Sequence, residues 1–368
     1  MPDLTCAVVH WNTPELLADC VTSLLAETAR LAATGLHAEV VVVDSGSHPA
    51  VRARLDTLLP AGATLLATET NCGYGGAANL AFARSTAPLF LVSNADVLYL
   101  PGSLAALVKL LRERPEAALA GPASWWDRER TLLLNPGFPE DRERLEEDAA
   151  AATGATWPAH ALAWQRRMAA TAFASAPREV GLLAGACLLA RREPVVAAGG
   201  LFDPSFFLYY EDTDLCRRLR DRALPIFYEP RAQIVHLFNQ SRSPQAAARL
   251  AGSRRQYLDK HYGATEAERL LALAAASVPG EADFQEWGPR DLGTPGQPPR
   301  FVWESEGESL FTLGLNPQIV PAALARCARP TLALTGSFWE QLVPGTYWAR
   351  ATDPAGERVH GYWRFARP

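Results

Sequence analysis

Residues 199–218 read GGLFDPSFFLYYEDTDLCRR, and the rest of the chain is interpreted outward from this stretch. An aromatic run at 206–210 leads into three carboxylates, Glu211, Asp212 and Asp214. Leucines then repeat at the i, i+4 spacing of a buried helical face, which predicts a helix that begins at the carboxylates. Acidic residues complement the positive end of a helix, so helix electrostatics alone is one explanation. The aromatic run before the carboxylates favours a second explanation, general-base catalysis. Bulky residues partly desolvate a carboxylate and raise its proton affinity, as a general base near neutral pH requires.

The composition is that of a globular chain without a basic field. The chain is 48% hydrophobic and 20% charged, as is usual for a globular protein, and its length of 368 residues suggests two or more domains. A net charge of −5 argues against nucleic acid as a partner. The six cysteines show no CxxC spacing, so we expect reduced thiols rather than zinc or disulfides. No apolar run approaches the roughly 20 residues of a membrane span, and the start lacks a signal-peptide pattern.

Strand and helix patterns alternate in the amino-terminal part. Residues 4–10 form a β-rich run, and Thr13 followed by Pro14 predicts a helix start with Thr13 as the cap. Residues 39–43 form a continuous apolar strand that ends in Asp44, as in a parallel sheet covered by helices. A strand, a helix and a strand at this spacing predict a βαβ unit.

Polar residues follow these strands, at the edge where open α/β sheets bind ligands. Asp44 is either a turn aspartate or a contact to a pyrimidine base. The glycine-rich loop at 71–79 leads into a helix and is either a plain turn or a phosphate cradle. Asp96 closes the segment SNAD (93–96) after the strand at 88–92. It either caps the next helix or lies beside a hydrated Mg²⁺ or Mn²⁺ that bridges two phosphates.

The second half of this region carries an insertion and a histidine. Residues 141–152 and 158–174 have helical patterns; we interpret them as a structural flap, with acceptor recognition or membrane contact as the alternatives. Strand patterns follow at 226–228 and 232–236. The second ends in His236, which is either a satisfied structural group or a ligand. A helix with a basic face is predicted at 244–262.

The carboxyl-terminal part has a different sequence pattern from the rest of the chain. After a helical pattern at 264–276, residues 277–300 form a Pro/Gly-rich linker, and 301–368 contain strand-like segments with a hairpin turn at 353–356. We predict a small all-β domain of fibronectin or Ig type at 301–368, with 291 as an alternative start, after a catalytic domain at 1–276. It contains four tryptophans that serve either as core or as a sugar-binding face, Trp303, Trp339, Trp348 and Trp363.

Several segments, in order, resemble the inverting glycosyltransferases of family 2, most closely the bacterial rhamnosyltransferase-like branch. The resemblance runs from about Leu4 to Gly263 and implies a GT-A fold, with a Rossmann-like, mostly parallel sheet. The segments that carry it are VVVDSGS, NCGYGGAAN, SNAD, GACLLARREPVVAAGGLFDPSFFLYYEDTDLCRRL, VHLFNQS and RRQYLDKHYG.

The resemblance also implies site residues. Asp212 resembles the catalytic base, with Glu211 as its neighbour, and Asp96 resembles the aspartate that binds Mg²⁺ or Mn²⁺, with His236 as a second ligand. Asn94 replaces the first acid of that motif, which leaves the metal with less charge. Gly185 and Tyr210 are the implied acceptor-binding residues. The implied donor-binding residues are Asn12, Asp44, Asn71, Gly73, Asn94, Asp96 and Arg254.

The predicted function is transfer of a sugar, with rhamnose from dTDP-rhamnose favoured or a UDP-sugar, onto a hydroxyl of a cell-surface glycan or lipid-linked precursor. The expected location is the cytoplasm, with peripheral membrane association and homo-oligomerisation left open. One alternative is a sugar-nucleotide pyrophosphorylase, which favours a glycine-rich loop with a basic residue that 8–13 lacks. The other is a non-catalytic saccharide-binding protein or scaffold, which needs neither Asp96 nor Asp212.

Overall fold

The computed structural model describes residues 1–238, 240 and 245–368. By its contacts the chain forms two compact units: residues 1–124, 136–139 and 174–265, and residues 125–135, 140–173 and 266–368. The second unit therefore includes the insertion, a grouping that the sequence did not predict. The predicted division into 1–276, 277–300 and 301–368 stays a prediction. Part of the VHLFNQS segment and the predicted helix start at Pro244 lie outside the described residues.

The helices and strands follow one another through both units. In chain order, the strands are β1 Leu4–His10, β2 Ala38–Asp44, β3 Ala63–Ala67, β4 Leu89–Asn94, β5 Val97–Tyr99, β6 Leu119–Trp125, β7 Leu133–Leu134, β8 Arg178–Glu179, β9 Cys187–Arg191, β10 Ile226–His236, β11 Arg290–Asp291, β12 Arg300–Val302, β13 Ser309–Gly314, β14 Ala323–Cys327, β15 Thr331–Ala333, β16 Gly345–Thr352 and β17 Val359–Arg367. The helices are α1 Pro14–Ala32, α2 Pro49–Leu58, α3 Gly73–Arg84, α4 Ser103–Glu113, α5 Arg142–Thr153, α6 Trp157–Ala172, α7 Arg192–Ala197, α8 Glu211–Arg220, α9 Ala246–Tyr262, α10 Ala264–Ala276 and α11 Gly336–Gln341, with a 3₁₀ turn at Glu281–Trp287.

The first unit is built on a mixed sheet whose parallel part runs in the order β3-β2-β1-β4. Strand β9 continues the sheet antiparallel to β4. Every residue of β1 is buried, because helices cover both faces of the parallel strands. The α/β class is confirmed, but the sheet of the first unit is mixed rather than mostly parallel, because β9 and the strands beyond it are antiparallel.

The parallel register places the ends of three strands side by side. His10, the last residue of β1, pairs with Asp44, the last residue of β2. On the other side of β1, Val9 pairs with Asn94, the last residue of β4. The chain order of the strands reverses at β1 and β4, which is where open sheets leave a crevice for ligands.

Some predicted elements differ from the observed ones. Helix α1 starts at Pro14 as predicted, but the Thr13 side chain does not cap it, and its Oγ1 has no hydrogen-bond partner among the described residues. The predicted loop at 71–79 is helical from Gly73 onward. The two strands predicted at 226–228 and 232–236 are one strand, β10, because Pro230 fits within the extended backbone.

The second unit is rich in antiparallel strands. Strands β17, β16, β13, β14 and β7 pair in that order, and β12 pairs with β15 in a separate two-stranded sheet. The predicted hairpin at 353–356 is confirmed, with Gly356 donating its N–H to the Asp353 carbonyl. The segment predicted as a linker contains the 3₁₀ turn, where Phe284 is fully buried. The second unit therefore contains a strand-rich region together with helices α5, α6 and α10.

The four tryptophans of this region belong to its core. Their exposed fractions are 4% for Trp303, 7% for Trp339, 9% for Trp348 and 3% for Trp363. Trp363 packs against Phe301 at 5.4 Å between ring centroids. Buried rings of this kind are unavailable to a saccharide, so the core interpretation is confirmed. No helix within the described part of the chain combines the length and apolarity needed to cross a membrane.

Candidate active site

Asp44 lies at the end of β2 in a pocket of hydrogen-bond donors. Its Oδ1 is 2.9 Å from His10 Nδ1 and accepts from Ser47 Oγ at 2.5 Å. Thr13 donates its N–H to His10 Nε2 at 3.0 Å, so that nitrogen is an acceptor and a neutral His10 carries its proton on Nδ1, toward Asp44. Burial opposes ionisation, but the hydrogen bonds from His10 and Ser47 outweigh it and lower the pKa of Asp44. The group is therefore a carboxylate at neutral pH.

The second oxygen of Asp44 is available to a ligand. Asp44 is fully buried, and its Oδ2 has no hydrogen-bond partner within the described residues. A buried, ionised oxygen without a donor is costly unless a bound group supplies one. The sequence predicted Asp44 as a donor-binding residue but missed His10 and Ser47, although His10 ends the neighbouring strand at the same edge.

Asn12 and Asn71 shape the loops beside Asp44. Asn12 takes a left-handed φ of 58° and accepts the His48 N–H at 2.8 Å, which joins the turn after β1 to the turn after β2. Asn71 Oδ1 accepts from the Gly73 N–H at 2.8 Å and from Ser45 Oγ at 3.1 Å. Both side chains are therefore used within the protein to hold loops at the sheet edge.

Gly73 begins helix α3 where no other residue fits. Its φ is +77°, and a Cβ there would lie 2.0 Å from the Phe207 carbonyl oxygen. The start of α3 thus packs directly on the aromatic run that precedes α8. The α3 amino terminus leaves backbone N–H groups without helical partners beside this contact.

Asp96 and His236 come together because β5 and β10 pair. His236, the last residue of β10, pairs with Val97, which follows Asp96 directly. Asp96 Oδ1 lies 3.4 Å from His236 Nε2, and both residues are 8% exposed. His236 Nε2 has no hydrogen-bond partner within the described ranges. Asn94, two residues earlier, donates its backbone N–H to Ala186 at 2.9 Å.

Asp212 lies in the first turn of α8 with its carboxylate fixed at both oxygens. Its Oδ2 accepts the Gly185 N–H at 2.7 Å, and its Oδ1 accepts the Thr213 N–H at 2.6 Å. Burial nevertheless raises the pKa of Asp212 above the usual value of an aspartate. A carboxylate of raised proton affinity in a fixed orientation is suited to accept a proton.

Glu211 precedes Asp212 and differs from it. It is 5% exposed, and its Oε2 has no hydrogen-bond partner in the described part of the chain. Burial, and then the charge of Asp212, raise the pKa of Glu211 to about 8. Glu211 is therefore mostly protonated at neutral pH while its neighbour is the better proton acceptor.

A buried ion network holds α8 in place. Asp214 is fully buried and accepts from Arg218 Nε at 2.7 Å, with Lys260 Nζ at 2.6 Å and His261 Nε2 at 2.9 Å. Arg218 also donates to the carbonyl oxygens of residues 198, 200 and 201. The network therefore joins α8 to α9 and to the loop at 198–203. The sequence interpretation missed Lys260 and His261 as its members.

The two remaining predicted residues lie along α9 and the start of α8. Tyr210 has a left-handed φ of 67°, and its ring packs against Tyr257 of α9 at 5.4 Å between centroids. Arg254 is half-buried on α9, next to Ser253, whose hydroxyl donates to the Leu208 carbonyl at 2.8 Å. Helix α9 thus runs beside the aromatic approach to the carboxylates.

Tyr74 connects these groups, and no pattern in the sequence had singled it out. Burial, and then the charges of Glu211, Asp212 and Asp96, raise its pKa well above that of a free phenol. The charges of these carboxylates, together with that of Cys187, therefore act on one tyrosine of α3.

Comparison with known proteins identifies the family. Residues 5–194, just over half of the chain, match the family described as Glycosyl transferase family 2. The chain belongs to glycosyl transferase family 2.

As a family 2 glycosyltransferase it also has curated relatives. It is 30% identical over 220 residues to N-acetylglucosaminyl-diphospho-decaprenol L-rhamnosyltransferase of Mycobacterium tuberculosis, a match that covers 54% of this chain and 68% of the relative. The same protein from a second strain matches equally. The predicted family, with its rhamnosyltransferase-like branch, is confirmed.

Two solved structures are similar at lower identity. The mannosyltransferase PcManGT from Pyrobaculum calidifontis, in complex with GDP-Man and Mn²⁺, is 19% identical with a TM-score of 0.46, over 75% of this chain and 74% of that one. TarS from S. aureus is 14% identical with a TM-score of 0.43, over 75% of this chain and 71% of that one.

Proposed function

We propose that this glycosyltransferase transfers a sugar with inversion from a nucleotide-diphosphate donor to a saccharide hydroxyl, with Asp212 as the general base. The observation that carries the proposal is the half-buried carboxylate of Asp212 at the start of α8, whose two oxygens are fixed by the N–H groups of Gly185 and Thr213. Direct displacement at the anomeric carbon requires a base that takes the proton of the attacking hydroxyl. Asp212 accepts that proton, and Glu211, already protonated, does not compete for it.

The nucleotide binds at Asp44. The unpartnered Oδ2 of this carboxylate can only accept a hydrogen bond, which suits the N–H at the edge of a uracil or thymine ring. Asn12, Asn71 and Gly73 hold the loops around it, and Arg254 is the cation that α9 brings toward the diphosphate. We favour dTDP-rhamnose as the donor because of the rhamnosyltransferase relative, with a UDP-sugar as the second choice.

The residues present fit a divalent cation, Mg²⁺ or Mn²⁺, at Asp96 and His236. Their facing atoms are 3.4 Å apart, and His236 Nε2 lacks a partner among the described residues. No group of three or more His, Cys, Asp or Glu side chains that could hold a metal occurs in the described ranges, so donor phosphates and water would have to supply the other ligands. When bound, the cation neutralises the charge that grows on the leaving diphosphate.

The acceptor is a lipid-linked or cell-surface saccharide used in cell-wall synthesis. The relative from M. tuberculosis is named for N-acetylglucosaminyl-diphospho-decaprenol, and this supports a diphospholipid-linked acceptor. We propose Gly185, which donates its N–H to Asp212, and Tyr210, two residues before Asp212, as the residues that contact the acceptor. Such an acceptor places the enzyme at the cytoplasmic face of the membrane as a peripheral protein.

The strand-rich second unit is proposed as an accessory domain. Its antiparallel strands, two sheets and aromatic core support a fibronectin- or Ig-like identity. Because its tryptophans are buried, we propose that it docks an acceptor or a second copy of the chain through its surface rather than through an aromatic sugar platform.

Two measurements test the function. A thermal-shift panel of dTDP, UDP, GDP and CDP, with and without Mn²⁺, should show metal-dependent stabilisation by a pyrimidine diphosphate that Asp96→Ala loses. In a transfer assay, Asp212→Asn should lower turnover by about 10² to 10⁴-fold while nucleotide binding persists. The matched control is Asp221→Asn, an exposed aspartate at the other end of α8.

The outcomes separate the candidate functions. Undiminished transfer by Asp212→Asn contradicts the assignment of the base. No thermal shift with any nucleotide contradicts the donor site and favours the saccharide-binding alternative. Release of free sugar phosphate and nucleoside triphosphate from pyrophosphate and donor favours the pyrophosphorylase.

A further inference from the structure

Gly185, the residue that holds Asp212, is itself held by Tyr74. The Tyr74 hydroxyl donates a hydrogen bond to the Gly185 carbonyl oxygen at 2.5 Å. The Gly185 N–H donates to Asp212 Oδ2 at 2.7 Å. Both backbone groups of one residue are therefore used, one by a tyrosine of α3 and the other by the carboxylate at the start of α8.

Tyr74 is anchored on the opposite flank of Asp212 as well. Its backbone N–H donates to the Phe207 carbonyl at 3.0 Å, and its ring lies against Phe202 at 5.8 Å between centroids. The residue thus contacts the loop that carries Gly185 and the aromatic stretch that leads into α8. The Tyr74 hydroxyl is the group through which this residue acts on Gly185.

The segment around Gly185 depends on this support because it is neither helix nor strand. Residues 182–186 lie between β8 and β9. A Cβ at Gly185 would come 3.1 Å from both Cβ and Oδ2 of Asp212, so the backbone of Gly185 lies directly on the carboxylate. A displacement of Gly185 therefore moves the carboxylate or lengthens and weakens its hydrogen bond.

We propose that Tyr74 is a positioning residue for the general base: its hydroxyl fixes Gly185, and Gly185 fixes the orientation of Asp212. The inference rests on the proposed function, because it requires Asp212 to be the base. Tyr74 neither transfers a proton nor binds the substrate in this role. Through Tyr74, the segment that contains the proposed donor-binding residue Gly73 is connected to the carboxylate of Asp212.

The titratable groups that face Asp212 are compatible with this role. Glu211 precedes it on α8, Cys216 lies one turn later on the same helix, and Tyr74 lies on α3. Burial raises the pKa of Cys216 to about 12 and the pKa of Tyr74 well above that of a free phenol, so both stay neutral through the physiological range. Tyr74 therefore remains a donor. The Gly185 N–H stabilises the carboxylate form and lowers the pKa of Asp212, in opposition to burial.

The test is Tyr74→Phe, which removes the hydroxyl and keeps the ring. We expect kcat to fall by about 10 to 100-fold, since a reacting group displaced by about 1 Å can lose 10²-fold. The donor KM and the thermal shift with the nucleotide should not change. Weakening of the Gly185 bond raises the pKa of Asp212, so the acid limb of the kcat profile should move to higher pH.

The control is Tyr347→Phe, which loses a phenol-to-carbonyl hydrogen bond of 2.9 Å in the other unit. It should leave kcat and its pH profile unchanged. Combining Tyr74→Phe with Asp212→Asn completes a double-mutant cycle, in which the tyrosine change should cost little once the base is absent.

The results distinguish this inference from the proposed function. Full activity of Asp212→Asn contradicts the base and with it both proposals. A large loss in Asp212→Asn with wild-type kcat and pH profile in Tyr74→Phe contradicts only the positioning role. A lower melting temperature of Tyr74→Phe with unchanged kcat also contradicts it, as does an equal loss of kcat with and without Asp212.

Discussion

At the scale of single residues, the site separates three carboxylates by their surroundings. Asp44 is buried but receives hydrogen bonds from His10 and Ser47, which lower its pKa. Asp212 is held by backbone N–H groups, yet burial raises its pKa. Glu211 has the fewest hydrogen bonds to offset the cost of burying its charge, and its pKa rises to about 8. Acids whose environments push their pKa values apart can take different roles at one pH. The proposed roles are a hydrogen-bond acceptor for the donor at Asp44, the general base at Asp212 and a neutral neighbour at Glu211.

The raised pKa of Glu211 predicts a pH-dependent stability. Between about pH 4.3, the pKa of an unfolded glutamate, and about 8, the folded chain holds a proton that the unfolded chain has lost. The free energy of unfolding therefore falls as the pH rises through this window. Glu211→Gln resembles the protonated form and should be more stable than wild type at pH 8, with a smaller difference at pH 5.

Urea unfolding at both pH values measures this effect. The control is Glu193→Gln, an exposed glutamate of the same unit, whose difference from wild type should not depend on pH. A Glu211→Gln variant whose stability relative to wild type is the same at pH 5 and pH 8 contradicts the protonated state of Glu211. Asp212 titrates beside it, so the comparison is repeated in the Asp212→Asn background.

At the scale of elements, helix α8 needs support because the two residues before it have a strained backbone. Tyr209 and Tyr210 both have left-handed φ values, 68° and 67°, which cost about 1 kcal/mol or more each for residues with side chains. The Asp214 network, together with the contacts of α9, holds this conformation. The first turn of α8 is thereby presented with Asp212 facing Gly185.

This support predicts a large effect of Arg218→Met. The change removes one partner of the buried Asp214 and the donors to three backbone carbonyls. Breaking a buried ion pair costs about 3–5 kcal/mol, so we expect a loss of that size in the free energy of unfolding. Arg222→Met, an exposed arginine just beyond α8, should change it little. Equal stabilities of the two variants in urea unfolding would contradict the supporting role.

Periodicity predicted the elements well where burial is regular. The continuous apolar run before Asp44 and the leucine spacing after Asp214 gave a strand and a helix that the structure contains. Local sequence patterns gave wrong predictions where contacts between distant parts of the chain determine the structure. Glycines at 73–76 indicated a loop, yet the chain there is helical because α3 packs on the carbonyl of Phe207. No local pattern reveals that contact.

The same limit applies to the site. Asp44 ends β2 beside β1 in a parallel register, whereas Asp96 and His236 meet through the antiparallel pair β5 and β10. Each of the three follows an apolar strand pattern, so the sequence could single them out. His10 carried the same signal and was missed. Tyr74, Lys260 and His261 reach the site through packing between helices and loops that are far apart in sequence. Their roles depend on distances that only the folded chain defines.

At the scale of the whole molecule, the second unit is assembled from three separate parts of the chain. Gln165 of α6 joins two of them. It is fully buried, accepts from Arg350 Nε of β16 at 2.7 Å and donates to Thr352 Oγ1 at 2.6 Å. The Arg350 guanidinium lies 4.8 Å from the centre of the Trp287 ring. The insertion therefore contributes to the interior of the strand-rich unit.

Arg350 is an unusual member of this interior. It is fully buried, and its two terminal nitrogens have no hydrogen-bond partner within the described residues. Burial lowers its pKa to about 9. Gln165 is therefore the side chain that accepts a hydrogen bond from this buried cation, and its loss removes that bond.

These contacts predict coupled effects of substitutions in α6 and β16. Gln165→Ala should lower the free energy of unfolding by about 1.5–3 kcal/mol, the contribution of a hydrogen bond to a charged group. Arg350→Met should cost less, because it also removes a buried charge whose desolvation opposes folding. The double variant should be more stable than the sum of the single losses predicts, with a coupling of about 0.5–3 kcal/mol in urea unfolding. Arg167→Ala, an exposed change on the same helix, should add to Arg350→Met without coupling. Additive losses for Gln165 and Arg350 would mean that the insertion and the carboxyl-terminal strands are stabilised independently.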